Sequence, residues 1–195
     1  MKFIKYFLQA IVIYTLFLVI KFIGLSASRK LFAKFFNIIG PIIKSKNTIN
    51  SNLEKLFGNY SEDKKKEIIL KMWSSYGKLF VEYIFLFKFR KGNFHISVKG
   101  ENVLDEIKKI GKPVIFVSGH FANFELMSME LTKRQVNLAT IYRPLNNFFL
   151  NPFMEYLRKK YICKNQIKKG LTGVKHSIEY LRKNYSIALM IDQRV

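Results

Sequence analysis

The feature that most narrows what this chain can fold into is its first apolar run. From Phe3 to Leu25 only Lys5, Gln9, Thr15, Lys21 and Gly24 interrupt bulky apolar residues and alanine. A helix of that length reaches across a bilayer's hydrocarbon core of roughly 30 Å. Lys5 and Lys21 lie near its ends, where their stems can follow the apolar surface and their ammonium groups reach the headgroups. A secretory leader is the competing reading. It needs small residues after the run, and Ser26-Ala27-Ser28 supplies them. The next segment argues for an anchor instead. Leu31, Phe32, Phe35, Phe36, Ile38, Ile39, Ile42 and Ile43 interleave with Arg29, Lys30, Lys34, Lys44 and Lys46, the composition of a helix lying on anionic lipid. Pro41 is expected to kink or end it. Lys21, Arg29, Lys30 and Lys34 follow the run, against Lys2 and Lys5 before it, which by the positive-inside rule puts the rest of the chain on the cytoplasmic side. Residues 1–46 thus read as a transmembrane and interfacial anchor, and 47–195 as the working domain.

Charge narrows the partners. The 34 Lys+Arg against 13 Asp+Glu give a formal +21, so association with nucleic acid, an anionic membrane surface or an acidic protein is expected unless the lysines only solvate the surface. The cations are spread along the chain and no nucleic-acid-binding module is recognisable, which disfavours nucleic acid. Cys163 is the single cysteine, which excludes an intramolecular disulfide and a Cys-based zinc site. With no local motif it reads as a buried, inert thiol. His95, His120 and His176 are too dispersed to argue for a metal.

Beyond the anchor, 47–57 and 61–89 have helical spacing, with Ser61 as N-cap ahead of Glu62 and Asp63. Residues 90–93 break the pattern. Strands are then expected at 94–98, 114–117 (buried on both faces), 136–142 and 187–191, alternating with helices at 103–110, 121–132, 147–161 and 172–183. The fold class is α/β, a mostly parallel sheet flanked by helices. Ligands in such folds bind beyond the carboxyl ends of the strands. Three polar groups fall there: Ser118 to Glu125, Tyr142-Arg143-Pro144, and Asp192-Gln193-Arg194.

His120 and Glu125 are five residues apart, which separates them on a continuous helix. They converge if His120 sits in a loop, eased by Gly119, and the helix starts just after it. Glu125 would then accept from His120 Nδ1 and leave Nε2 as a base. A His with an acid five residues on recurs by chance and can equally be a structural histidine; the preceding buried strand and glycine give the pair its weight. Ser118 beside His120 is poorly placed as a nucleophile, and phosphate-loop and Gly-x-Ser-x-Gly patterns are missing.

These residues resemble the bacterial lipid A late acyltransferases, the lauroyl/myristoyl acyltransferase family. Ser118-Gly119-His120 through Asn123-Phe124-Glu125 is similar to its Gly-His-x-Gly-Asn-Trp-Glu core, with Ala122 for Gly and Phe124 for Trp. Asn52-Leu53 with Phe57, Tyr142-Arg143-Pro144 with Asn147, and Asp192-Gln193 resemble further blocks; Gly58 stands where Pro is usual. The resemblance spans the whole chain, which stops where the family would continue, so a C-terminally truncated product is expected. It implies a glycerolipid-acyltransferase-like fold with an N-terminal membrane helix in a bacterial inner membrane. It implies acyl transfer from acyl carrier protein to a hydroxyl of a lipid A precursor in lipopolysaccharide biosynthesis, without cofactor or metal. His120 and Glu125 would be catalytic, and Asn123, Arg143, Arg158, Asp192 and Gln193 would bind substrate. Transfer to another phospholipid or glycolipid, or an inactive membrane-bound basic fragment, are the alternatives.

Overall fold

The computed structural model describes residues 1–43, 46–58, 60–93 and 95–192. The chain forms two compact units: residues 1–14 with 86–195, and residues 15–85. The expected boundary after residue 46 falls inside the second unit, in the first turn of a helix.

Helix α1 (Lys2–Ile23) is long and apolar enough to cross a membrane, and contributes its first half to one unit and its second half to the other. In the unit of residues 15–85, α2 (Leu25–Ile43) lies along α4 (Glu62–Glu82), with α3 (Lys46–Phe57) between them in sequence. Two glycines set how closely that pair packs. A Cβ on Gly77 would meet the Phe32 carbonyl oxygen at 2.2 Å, and one on Gly40 would meet the Trp73 ring at 2.1 Å. Phe32 stacks on Phe80, and Arg29 holds the buried Glu82 carboxylate at 2.6 Å. The interfacial reading of α2 is thereby divided. Phe32, Ala33 and Gly40 face α4, while Leu31, Phe35, Ile38 and Ile42 remain an exposed apolar stripe. Pro41 sits in the last turn, where α2 ends two residues later. Ser61 caps α4, accepting from Lys64 N–H at 3.4 Å.

The other unit holds α5 (Leu86–Lys91), α6 (Glu101–Ile110), β1 (Ile115–Ser118), α7 (Glu125–Lys133), β2 (Leu138–Tyr142), α8 (Asn151–Leu157) with a π-helical turn at Arg158–Ile162, β3 (Asn165–Lys168), α9 (Leu171–Arg182) and β4 (Ser186–Met190). Among the described residues the sheet runs β1-β4-β2-β3, parallel throughout. Ala139, Ile167 and Ile187 form its core with Tyr180 and Leu181 of α9. Leu86, Phe89, Met129 and Ile162 are also buried, each burial contributing roughly 1.5–3 kcal/mol. Lys133 donates to the carbonyls of Phe89 and Gly92, closing the end of α5.

Four local expectations change. Phe94 lies outside the described residues, and 95–98 form no strand because no neighbouring ladder takes up their backbone groups. β1 is an edge strand paired with β4, and Ile115 (59%) and Val117 (54%) are exposed rather than buried on both faces. The helix after His120 starts at Glu125 rather than residue 121. β3 was not expected: Asn-Gln-Ile-Lys carries one apolar residue and no period, and becomes a strand by pairing with β2.

Candidate active site

The parallel register puts Ser118, Tyr142, Lys168 and Met190 at one edge of the sheet. Each strand delivers a polar side chain just beyond that edge: His120 after β1, Arg143 after β2, Lys169 after β3 and Asp192 after β4. A cavity of about 350 Å³ opens there, lined by His120, Glu125, Arg143, Arg158, Lys169 and residues of β2, β4 and the start of α9.

His120 sits in the loop ahead of α7, as the convergence argument required. Its Nδ1 lies 2.8 Å from Asp192 Oδ1, and its backbone N–H donates to Asp192 Oδ2 at 3.0 Å. The orienting acceptor is therefore Asp192, where the sequence pattern pointed to Glu125. The reason is register: β1 and β4 are neighbours, so the residues two beyond their ends meet. Those two hydrogen bonds hold the Asp192 carboxyl below its ordinary range, so it stays ionised and accepts. In a neutral ring that acceptor favours the tautomer with the hydrogen on Nδ1, which leaves the lone pair on Nε2. Nε2 has no hydrogen-bond partner among the described residues, and the ring lies edge-on to Phe124 at 4.5 Å between centroids.

Gly119 matters by space rather than by a left-handed turn. A Cβ there would press on the Phe121 ring at 2.8 Å and approach Asp192 at 3.4 Å. The left-handed residue of the loop is Ala122, with φ 45°, at the position where the resembling motif has glycine.

Glu125 occupies the first turn of α7, where the helix dipole favours a carboxylate. It is buried and paired with Arg158, whose Nε and one terminal nitrogen each lie 2.7 Å from Oε1. Arg158 opens the π-helical turn, and its guanidinium also sits 5.7 Å from the centre of the Tyr142 ring. Tyr142 donates to Glu155 Oε1 at 2.6 Å; burial and that carboxylate raise the phenol pKa, and Glu155 is correspondingly lowered. Arg143 and Lys169 have no acidic partner among the described residues.

The structure thus brings His120, Glu125, Arg143 and Arg158 to one cavity and Asp192 behind His120. Asn123 is not among the lining residues, and Gln193 lies outside the described residues. Lys169, Gln166 and Ser128 line the cavity and were missed. The available signal was Gly170 and Gly173 bracketing the start of α9: a Cβ on Gly173 would meet the Lys168 carbonyl oxygen at 2.2 Å, so glycine lets α9 begin against β3. Cys163 is buried at the far end of β2's partner strand, donating to the Leu138 carbonyl, and burial raises its thiol pKa.

A cleft at the carboxyl edge of a parallel sheet, lined by an imidazole held at Nδ1, a buried ion pair and two cations without an acidic partner among the described residues, lies where α/β enzymes carry their sites. The chain belongs to the bacterial lipid A biosynthesis acyltransferase family, whose sequence profile it matches over residues 1–195. It is accordingly an acyltransferase of groups other than amino-acyl groups, acting on lipid. A search among curated proteins returned no match.

Proposed function

We propose that this chain transfers a fatty acyl group from the thioester of acyl carrier protein to a hydroxyl of a lipid A precursor, with His120 as general base. The observation that carries the reading is His120 itself: Nδ1 held by an ionised Asp192, at the wall of a cavity also lined by Arg143 and Lys169, which have no acidic partner among the described residues. The hydroxyl proton moves to Nε2 as the oxygen attacks the thioester carbonyl. The tetrahedral intermediate collapses, the new ester forms, and the carbon–sulfur bond breaks. The imidazolium returns its proton to the departing thiolate.

Glu125 acts through Arg158, fixing a guanidinium at the cavity wall. Arg143 and Lys169, without an acidic partner among the described residues, would take an acceptor phosphate, while Arg158 is largely committed to Glu125. Asn123 and Gln193 remain assigned to substrate binding by motif alone. The +21 charge suits both an acidic carrier protein and anionic lipid. Membership of this family and the apolar α1 support an inner-membrane location.

The test is acyl transfer by the full chain in detergent micelles, with His120→Ala and Glu125→Ala made separately. Each is expected to lose transfer, the histidine variant by roughly a hundredfold or more, the general-base contribution. Transfer that survives both changes refutes the assignment.

A further inference from the structure

The first half of α1 is not a bare anchor. Within its compact unit it is docked on the segment that follows Arg143. Phe3 packs on Phe148 and Phe149, Tyr6 on Phe148, Phe7 on Phe149, and Tyr14 on Phe153, with ring centroids 5.2–5.8 Å apart. From Phe3 to Tyr14 that contact follows the helix for about 16 Å. Whatever surrounds this part of α1 also surrounds residues 145–153.

The segment is built for such surroundings. Its turn is irregular, and irregular backbone enters an apolar phase only when its polar groups are satisfied internally. Asn147 takes up several of these groups. Its Oδ1 accepts from the N–H groups of Phe149 and Leu150, its carbonyl accepts from Leu150 and Asn151, and its Nδ2 donates to the Tyr6 carbonyl of α1. Tyr14 donates to the Phe149 carbonyl at 2.9 Å, and Asn151 Oδ1 accepts from Leu145 N–H at 2.8 Å. Meanwhile Leu145 and Phe148 stand exposed beside the exposed Phe3, Ile4, Phe7 and Leu8. Water-facing turns have no need to hide their backbone and show their rings. Lys2, Lys5 and Arg143 neighbour these residues in sequence and carry the charge that anionic headgroups attract.

We infer that the segment 145–149 enters the lipid bilayer together with the first half of α1, Leu145 and Phe148 reaching the acyl-chain side of the interface. This rests on α1 being a membrane anchor, and it deepens the proposed function. Arg143 lies two residues before the segment, so the cavity it lines opens at headgroup depth and receives its lipid acceptor from within the membrane.

The test uses the full chain in vesicles of phosphatidylethanolamine and phosphatidylglycerol. Single cysteines at Phe148, Leu145, Leu8 and Ile110 carry an environment-sensitive fluorophore; Cys163, buried with a raised pKa, serves as the unmodified background. Lipids with nitroxides high on the acyl chain are expected to quench Phe148→Cys, Leu145→Cys and Leu8→Cys about twofold, the result for groups ~5–10 Å below the headgroups, and to leave Ile110→Cys on α6 unchanged. Quenching at Leu8→Cys with none at Phe148→Cys or Leu145→Cys overturns the inference and leaves the anchor intact. No quenching at Leu8→Cys overturns the anchor and the inference together. Equal quenching at Ile110→Cys overturns it as unspecific burial.

Discussion

Replacing Arg158 with methionine takes the guanidinium from the buried Glu125 carboxylate. The two side chains keep only 12% and 9% of their exposure, so little water is there to take the place of the guanidinium. Removing one partner of a buried pair is destabilising by about 3–5 kcal/mol, and losing the cation over the Tyr142 ring adds about 0.5–1 kcal/mol. That is a large share of an ordinary domain's roughly 5–15 kcal/mol. The loss should be local first, since the pair ties α7 to the π-helical turn. Trp73 belongs to the other unit, so its fluorescence is the wrong probe. Hydrogen exchange of amides 125–133 and 155–162, read by mass spectrometry in detergent, is the right one. At about 1.4 kcal/mol per tenfold, exchange should quicken between roughly three-hundred- and twenty-thousand-fold. Glu125→Gln with Arg158→Met removes both charges and should recover most of the protection. Exchange in Arg158→Met within tenfold of wild type, or a double variant no better than the single, would refute the reasoning.

Three further outcomes are expected. Asp192→Asn removes the ionised acceptor that selects the tautomer of His120, so kcat should fall across neutral pH with KM nearly unchanged. In wild type Asp192's contribution is present above the ordinary carboxylate pKa and is lost as pH falls through its lowered value, so that acid limb should vanish in the variant. Lys169→Met should raise KM for a phosphorylated acceptor roughly tenfold or more while sparing an acceptor without phosphate, as steady-state kinetics on the two would show. Ala122→Gly should stabilise the loop before α7 by up to about 1 kcal/mol, seen as a higher thermal midpoint, because φ 45° strains any residue with a Cβ.

Much of this protein is written locally. The apolar run of α1, the Ser61 cap, the strand before Gly119 and the helices from Glu101, Asn151 and Leu171 all follow from periodicity and capping within a few residues. So does the prediction that polar groups after β1, β2 and β4 share a cleft, since strand ends in a parallel sheet face one edge. Partnership was not legible. The motif offered His120 the nearest carboxylate in sequence, Glu125, because a sequence shows only neighbours along the chain. The sheet order β1-β4-β2-β3 instead sets Asp192 at Nδ1 and sends Glu125 to Arg158, 33 residues on. The same order made a strand of Asn165–Lys168, which has no strand signal, and so brought Lys169 to the cavity. Helix and strand come from interactions over one turn or one pleat. Which strand lies beside which is decided by long-range pairing and burial, and here that decision chose the partner of His120.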